Sequence, residues 1–472
     1  MMKKISIKDL RSLSNAEVLN KETFKGRTIS GVSTDSRTAG KNEIFFALKG
    51  EKFDAHDFVA DLLLRGAAGI VVNAGWAEKN GEKVTSCNCV CVIVPDTTRA
   101  YGELARIYRK KFDIPVVAIA GSNGKTTTKE MVTAVLRSTY TVLATEGNLN
   151  NHIGVPQTLF RLDRMHEIAV VEIGTNHFGE LKYLCELAEP THGLITNIGK
   201  EHLEFFGDEE GVAKEETELF RYLEKNNGTA FINYDDPFLF RKGGTVKKSI
   251  GYGINQKADI RAKKIQMDEL GRARFECVYP KKSKKFHVAL PVPGLHNAVN
   301  ALAAISVGLK LKVKEKRIIS AVKHFSSAAK RMEVLSQNGI TLLNDTYNSN
   351  PDSVIAALKT LASVQTGGRK FVVLGDMKEL GESSKREHTN IGAIASGMNF
   401  HGLFAHGPFS KYTSEAFGSG ARHFDSKDDL SSELKKILHP GDVVLIKGSR
   451  GMKMEEVVHR LLEQVPQQSM VQ

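Results

Sequence analysis

Residues Gly121-Ser-Asn-Gly-Lys-Thr-Thr-Thr128 hold the densest chemistry in the chain. Glycines let backbone N–H groups approach phosphates, and a helix N-terminus adds a positive dipole at the same spot. In that setting Lys125 reaches the β- and γ-phosphates, and the Thr126 hydroxyl takes Mg²⁺. The full pattern G-x-x-x-x-G-K-[ST] asks for glycine at 119, where this chain has Ile119. An ordinary glycine-rich turn would explain the glycines but has no structural need for the lysine. The stretch reads as a nucleoside triphosphate site.

Other residues could serve the same chemistry. Glu172 closes the apolar run Ile168-Ala-Val-Val-Glu-Ile173, where a carboxylate is expensive to bury unless a cation pairs with it. His202 follows the next apolar run, after Asn197. Singly, Glu172 and His202 read as a salt-bridge member and a surface histidine; together, beside a phosphate loop, they read as Mg²⁺ ligands. Oxygen is the more usual magnesium partner of the two. Gly147-Asn-Leu-Asn-Asn-His-Ile-Gly-Val-Pro156 offers amides, Asn150 and Asn151 among them, for a sugar or phosphate. His296, Asn297 and Asn300 stand near the start of a helix, where amides pair with an adenine edge or cap the helix. Ser33, Ser36 and Arg37 put two hydroxyls and a guanidinium in one loop, which suits a diphosphate or carboxylate. A capped turn accounts for those three equally well. Lys214, in Val-Ala-Lys-Glu-Glu, is on spacing alone a helix lysine.

These side chains need a frame, and the apolar pattern supplies one. The β-branched run Ile114–Ala120 leads into the loop, and Met131, Val132, Val135 and Leu136 mark one helix face after it. Strands at Tyr140–Ala144, Ile168–Ile173 and His192–Ile198 alternate with helices at about 178–188 and 210–224. Such alternation predicts an α/β, doubly wound sheet with its site at the carboxyl ends of the strands. From Val246 to Pro293 the pattern turns to short alternating strands around Gly271, a β-rich annex of the same domain.

Before this domain, strand patterns at Thr28–Thr34, Glu43–Leu48, Gly69–Val72 and Cys89–Val94, with a helix at Asp57–Arg65, predict a small α/β unit. After it, strands at Ile340–Asn344, Lys370–Leu374, Leu403–Ala405 and Val443–Ile446 alternate with helices at about 351–364, 384–398, 427–438 and 452–464. This is a Rossmann-like unit without the G-x-G-x-x-G fingerprint of dinucleotide binding. The expected domains are therefore 1–111, 112–325 and 326–472, in keeping with a length of 472 residues.

A net charge of +12 admits nucleic acid, an acidic surface or small polyanions as partners. The charges are scattered apart from Lys281, Lys282, Lys284 and Lys285, and no aromatic-interleaved groove accompanies them. Phosphorylated small molecules fit better than nucleic acid. Cys87, Cys89 and Cys91 would share one strand face; their spacing is tighter than zinc sites use, so they read as core thiols. No apolar signal core follows the basic Met1–Lys4 stretch, and no run reaches membrane-spanning length, so a cytoplasmic protein is expected.

Taken in order, Gly121-Ser-Asn-Gly-Lys-Thr-Thr, Glu172, His202, the Lys214 helix, His296-Asn-Ala-Val-Asn300, Arg331 and Asp345 resemble the Mur ligases. Those are three-domain, ATP-dependent, amide-forming enzymes of peptidoglycan synthesis, and their phosphate loop also lacks the first glycine. Asn148-Leu-Asn-Asn-His-Ile-Gly154, Asp345-Thr-Tyr-Asn-Ser-Asn-Pro351 and Val373-Leu-Gly-Asp-Met-Lys-Glu-Leu-Gly381 resemble the branch that joins D-alanyl-D-alanine to UDP-N-acetylmuramoyl-tripeptide. The resemblance implies that Gly121, Ser122, Asn123, Gly124, Lys125, Thr126 and Thr127 hold the ATP phosphates, with Thr126 and Glu172 on Mg²⁺. It implies a second Mg²⁺ at His202 and a carbamylated Lys214, with Lys125 and Arg331 also catalytic. Asn297 and Asn300 would lie near adenine and Asp345 near the ribose. Ser33, Ser36, Arg37, Asn150, Asn151 and Thr175 would bind the nucleotide-sugar substrate. Lys447 and Arg450 are candidates for the dipeptide site, and a monomer is expected. A sibling ligase for the third peptide residue would show Asp-Asn-Pro-Arg in its last domain, a string absent here. A nucleic-acid-stimulated ATPase would be expected to carry a second acid beside Glu172, and none stands there.

Overall fold

Three sheets divide the chain in a computed structural model that describes residues 3–24, 29–279 and 284–463. Thr28, Lys281, Lys282 and the tail past Pro466 lie outside the described residues. The first sheet runs, edge to edge, Glu17–Leu19, Val90–Val94, Gly69–Asn73, Glu43–Phe46, Gly31–Ser33, parallel except for its first strand. Cys91 lies on Val90–Val94, and Cys87 and Cys89 just precede it, packed in one apolar cluster with no disulfide.

The central sheet is built outward from Val116–Ala120, all five of whose residues are buried. Ile168–Glu172 pairs on one side and His192–Ile195 on the other, so the chain reverses direction of winding at this strand. That is where an open α/β sheet leaves a crevice for a ligand. Val142–Ala144 closes one edge. Beyond His192–Ile195 come Thr229–Asn233, Ser249–Gly253 and Ile260–Met267, all parallel. Arg272–Tyr279 and Lys284–Pro293 then follow antiparallel. The β-rich annex is thus a continuation of the central sheet, with Gly271 in its turn. The third sheet runs Glu333–Gln337, Ile340–Asp345, Val443–Lys447, Lys370–Gly375, Gly402–His406, Ala421–Phe424, parallel after its first strand.

Among the departures from the sequence pattern, two matter most for how the domains are held. The helix expected over 210–224 is two, Glu209–Glu216 and Glu218–Lys225, meeting at Thr217, whose hydroxyl donates to Ala213 O at 2.6 Å. A helix at Thr97–Arg109, capped by Asp96, escaped the pattern. Its Tyr101 ring sits 5.2 Å from Phe46 of the first sheet and 5.4 Å from Phe160 of the central domain. Tyr108 donates to Leu162 O at 2.6 Å, and Arg109 Nε to Ala188 O at 3.1 Å. First and central sheets consequently share one continuous apolar core.

Candidate active site

The loop after Val116–Ala120 is strapped to the segment that follows His192–Ile195. Ser122 N–H donates to Asn197 O at 2.9 Å, Asn123 N–H to Asn197 Oδ1 at 3.1 Å, and Gly199 N–H to Ser122 Oγ at 2.9 Å. This explains why the strand expected to reach Ile198 stops at Ile195: its continuation bonds the loop instead. Gly121 and Gly124 take φ of 111° and 78°, in the left-handed region that side chains avoid. A Cβ on Gly121 would also stand 2.3 Å from Thr196 Oγ1. Gly124 leads into the helix Lys125–Arg137, with Asn300 packed directly against it.

Glu172 shows how the fold holds a buried carboxylate. It is 2% exposed, accepting from Asn150 Nδ2 at 2.9 Å and from the Thr126 hydroxyl at 3.3 Å through Oε1. The cation that the sequence required is Lys129, itself 0% exposed, whose Nζ lies 3.7 Å from Glu172 Oε2. That oxygen is buried with no hydrogen-bond partner.

Lys125 folds back. Its ammonium donates to Gly121 O, to Ser122 O at 3.2 Å and to Glu201 Oε2 at 3.2 Å. Burial opposes its charge, but Glu201, Glu216 and Glu172 together hold its pKa above the ordinary lysine value. Behind it the Gly121 N–H donates to Glu216 Oε2 at 2.8 Å. Burial first, then the Glu201 charge, pushes the Glu216 pKa well up.

The third domain closes the site from the other side. Arg331 Nη2 donates to Thr126 Oγ1 at 2.9 Å, and its guanidinium lies 3.9 Å over the Tyr347 ring, which fixes its plane. Asp345 and Lys447 are register partners at the ends of adjacent strands and bond at 2.6 Å. His202 Nδ1 meets Glu379 Oε2 at 2.9 Å, and the pairing draws the Glu379 pKa down. Lys200 ties in as well, through its N–H to Asp352 at 2.7 Å and its ammonium to Glu387 at 3.1 Å.

Most of these groups line a cleft of about 580 Å³, with Gly121, Lys129, Glu216 and Glu387 behind its wall. It gathers Ser122 to Thr127, Asn150, Glu172, His202, Asn297, Asn300, Arg331, Asp345, Lys447 and Arg450. Asn297 donates to Pro293 O at 2.6 Å and Asn300 to Asn297 Oδ1 at 3.1 Å. No side chain caps this helix, whose N-cap is Gly294, so the capping alternative fails.

Several expected residues lie elsewhere. Gly121 sits beneath the cleft. Ser33, Ser36 and Arg37 are outside it: Arg37 is bidentate on Asp35 at 2.9 and 2.7 Å, and the Asp35 pKa falls to about 2 through that pairing. Asn151 accepts from Ile153 and Gly154 N–H groups, and Thr175 donates to His177 O at 2.9 Å. Lys214, expected to carry the carbamate, stands apart from the cleft. A carbamate needs a neutral amine, which burial favours; Lys214 is exposed, outside the cleft, with its ammonium 5.4 Å from the Phe178 ring.

Glu201, Glu216 and Lys129 went unrecognised in the sequence. Glu216 had a signal: Val212, Ala213, Leu219 and Phe220 form a buried helical stripe, and position 216 falls within it while 214 faces away.

A phosphate loop at a winding reversal, facing an arginine from a separate α/β domain, defines a multidomain nucleotide-dependent enzyme. The chain belongs to the Mur ligase family: residues 28–109 match its catalytic domain, 119–308 its middle domain and 330–450 its glutamate ligase domain. A UDP-N-acetylmuramoyl-tripeptide–D-alanyl-D-alanine ligase of Bacillus subtilis is 32% identical over 468 residues, covering 98% of this chain and 99% of its own. The crystal structure of MurF from Acinetobacter baumannii superposes with a TM-score of 0.88 at 30% identity, over 98% of this chain and 100% of that one. MurF of Thermotoga maritima in complex with ADP gives a TM-score of 0.81 at 27% identity, over 91% and 96% of the two chains.

Proposed function

We propose that this chain joins D-alanyl-D-alanine to UDP-N-acetylmuramoyl-tripeptide, using ATP and releasing ADP and phosphate. The observation that carries the reading is the hydrogen-bonded line Arg331 to Thr126 to Glu172, which runs from the third domain into the phosphate loop. A free carboxylate is a poor electrophile. Transfer of the γ-phosphoryl group makes it an acyl phosphate; the dipeptide amine then attacks, and phosphate leaves from the tetrahedral intermediate.

Phosphoryl transfer is governed by positioning and charge neutralisation. Lys125 turns from Gly121 O and Glu201 towards the β- and γ-phosphates. Arg331, held flat on Tyr347, meets the developing charge from the opposite side. Closure of the third domain keeps water from the acyl phosphate. Asn297 and Asn300 are proposed at adenine and Asp345 at the ribose. Asn150 is proposed at the nucleotide-sugar peptide, and Lys447 and Arg450 at the dipeptide.

Mg²⁺ suits the donors present. Thr126 and Glu172 offer hard oxygen ligands, and Glu172 Oε2 is a buried oxygen still without a hydrogen-bond donor. Among the described residues no three acidic, histidine or cysteine side chains form a ready cage. Magnesium bound beside a nucleotide takes one or two carboxylates and completes its shell with phosphate and water. When bound, it neutralises charge on the phosphate oxygens. A second Mg²⁺ is proposed beside His202, on the side of the cleft that Glu201 also lines.

The proposed units are 1–111 for UDP, 112–325 for ATP and 326–472 for the dipeptide, acting as a cytoplasmic monomer. Among the described residues no helix is long and apolar enough to cross a membrane. The test is ADP release with both substrates, with product mass read in parallel. ADP release must require the dipeptide, and the product must gain one D-alanyl-D-alanine unit. Release that ignores the dipeptide overturns the reading.

A further inference from the structure

We propose that Glu216, paired with Glu201, is the built-in anion for a second divalent cation at the phosphate loop, and that Lys214 stays unmodified. This rests on the ligase reading above, because it is the nucleotide that moves Lys125.

Glu216 is 1% exposed and Glu201 7%, and each carries one buried oxygen, Oε1, with no hydrogen-bond partner. Their other oxygens converge on the loop: Gly121 N–H bonds Glu216 at 2.8 Å, and Lys125 Nζ bonds both Glu201, at 3.2 Å, and Gly121 O. Lys125 is therefore the cation that balances this pair at rest. A triphosphate withdraws it. Two buried carboxyl groups would then share the site with no cation, and only a proton on one of them or a metal ion between them relieves the repulsion. A hard divalent cation with oxygen preference restores the balance, and two unpartnered carboxylate oxygens are what it coordinates.

Lys214 is placed for none of this. It lies two residues from Glu216 on the opposite, solvent side of the same helix turn, over Phe178. A carboxylate already supplied by Glu216 makes CO₂ unnecessary.

The test counts Mn²⁺ by electron paramagnetic resonance on the full chain with a non-hydrolysable ATP analogue. The parent should bind about two ions per chain, the stoichiometry of two-metal phosphoryl-transfer sites. Glu216→Gln should bind about one, with the retained amide oxygen still accepting from Gly121 N–H and the unfolding midpoint preserved. Glu201→Gln gives a second reading of the same site should Glu216→Gln fold poorly. Lys214→Arg should keep about two ions, and ¹³C-bicarbonate should label no carbamate. The proposal is overturned if Glu216→Gln and Glu201→Gln keep both ions, or if Lys214→Arg loses one and the parent shows a labelled carbamate. A parent with no dipeptide-dependent ADP release would instead overturn the ligase reading, a separate measurement.

Discussion

Replacing Lys129 by Met removes the cation from a buried pair while keeping the side chain's bulk. Lys129 and Glu172 are both buried, 3.7 Å apart, and Lys129 Nζ also contacts Glu130 and Gly147 O. Removing one partner of a buried pair costs ~3–5 kcal/mol. Glu172 keeps Asn150 and Thr126 as donors, so the lower figure, about 3 kcal/mol, applies. For a unit of 150–250 residues that lowers the unfolding midpoint by roughly 6–12 °C. Calorimetry of the parent, Lys129→Met, Glu172→Gln and the double variant measures it. Glu172→Gln should restore most of the loss, because the amide no longer needs the ammonium. Mg²⁺ with ADP should recover part of it in the single variant, by bringing positive charge to the same carboxylate. A Lys129→Met midpoint equal to the parent's, or a double variant no better than the single, would refute the pairing argument.

Arg331→Ala should lower kcat by roughly 10²–10³-fold, the size of one lost electrostatic contact in a transition state, with the midpoint held; steady-state kinetics with calorimetry decides it. Arg37, 86% exposed and paired only to Asp35, should on replacement by Ala raise the apparent KM for the nucleotide-sugar peptide and leave that for the dipeptide unchanged. Equal losses for both would point to one shared site. Burial, with Lys310 adding to it, holds the His192 imidazole down at about 4, below the ordinary 6.5. The unfolded chain thus takes up that proton first, so the stability is full above about 6.5 and declines as pH falls towards 4. Urea midpoints at the two ends of that window should show a smaller decline in His192→Asn than in the parent.

Much of the frame was legible because apolar runs locate strands whatever they pack against. Val116–Ala120, Ile168–Glu172 and Lys370–Gly375 fall where the runs placed them, and their carboxyl ends hold the cleft. Thr97–Arg109 was missed although Ala100, Tyr101, Leu104, Ala105 and Tyr108 form one buried stripe at helical spacing, because Leu104 alone among them is strongly apolar and the stripe stands out weakly against the chain. Glu172 was singled out because a charge in an apolar strand stands out; Lys129 was not, since lysine is common on helix surfaces and only packing buries it. Ser33, Ser36 and Arg37 read equally as a ligand loop and as a capped turn, because residues that bind anions also build turns. Ser33 and Arg37 bond Asp35 two residues away, a local turn that the spacing allowed; that the loop lies outside the cleft is a tertiary fact that local spacing does not contain.

The tyrosine pair on Thr97–Arg109 has a mechanical consequence. With Tyr101 wedged between Phe46 and Phe160, and Tyr108 bonded to Leu162 O, the first two sheets travel as a single lever. The remaining joint is the stretch 326–332 before Glu333–Gln337, which carries no helix or strand and sets Lys330 and Met332 at φ of 65° and 51°. Across it, the grip between lever and third domain includes Lys200 on Glu387, His202 on Glu379 and Arg331 on Thr126. Charged contacts of this kind weaken as salt screens them, whereas the tyrosine wedge does not. Ionic strength thus acts mainly on one joint of the chain; at the other it reaches Arg106 and Lys110 on Glu189 but leaves the wedge in place.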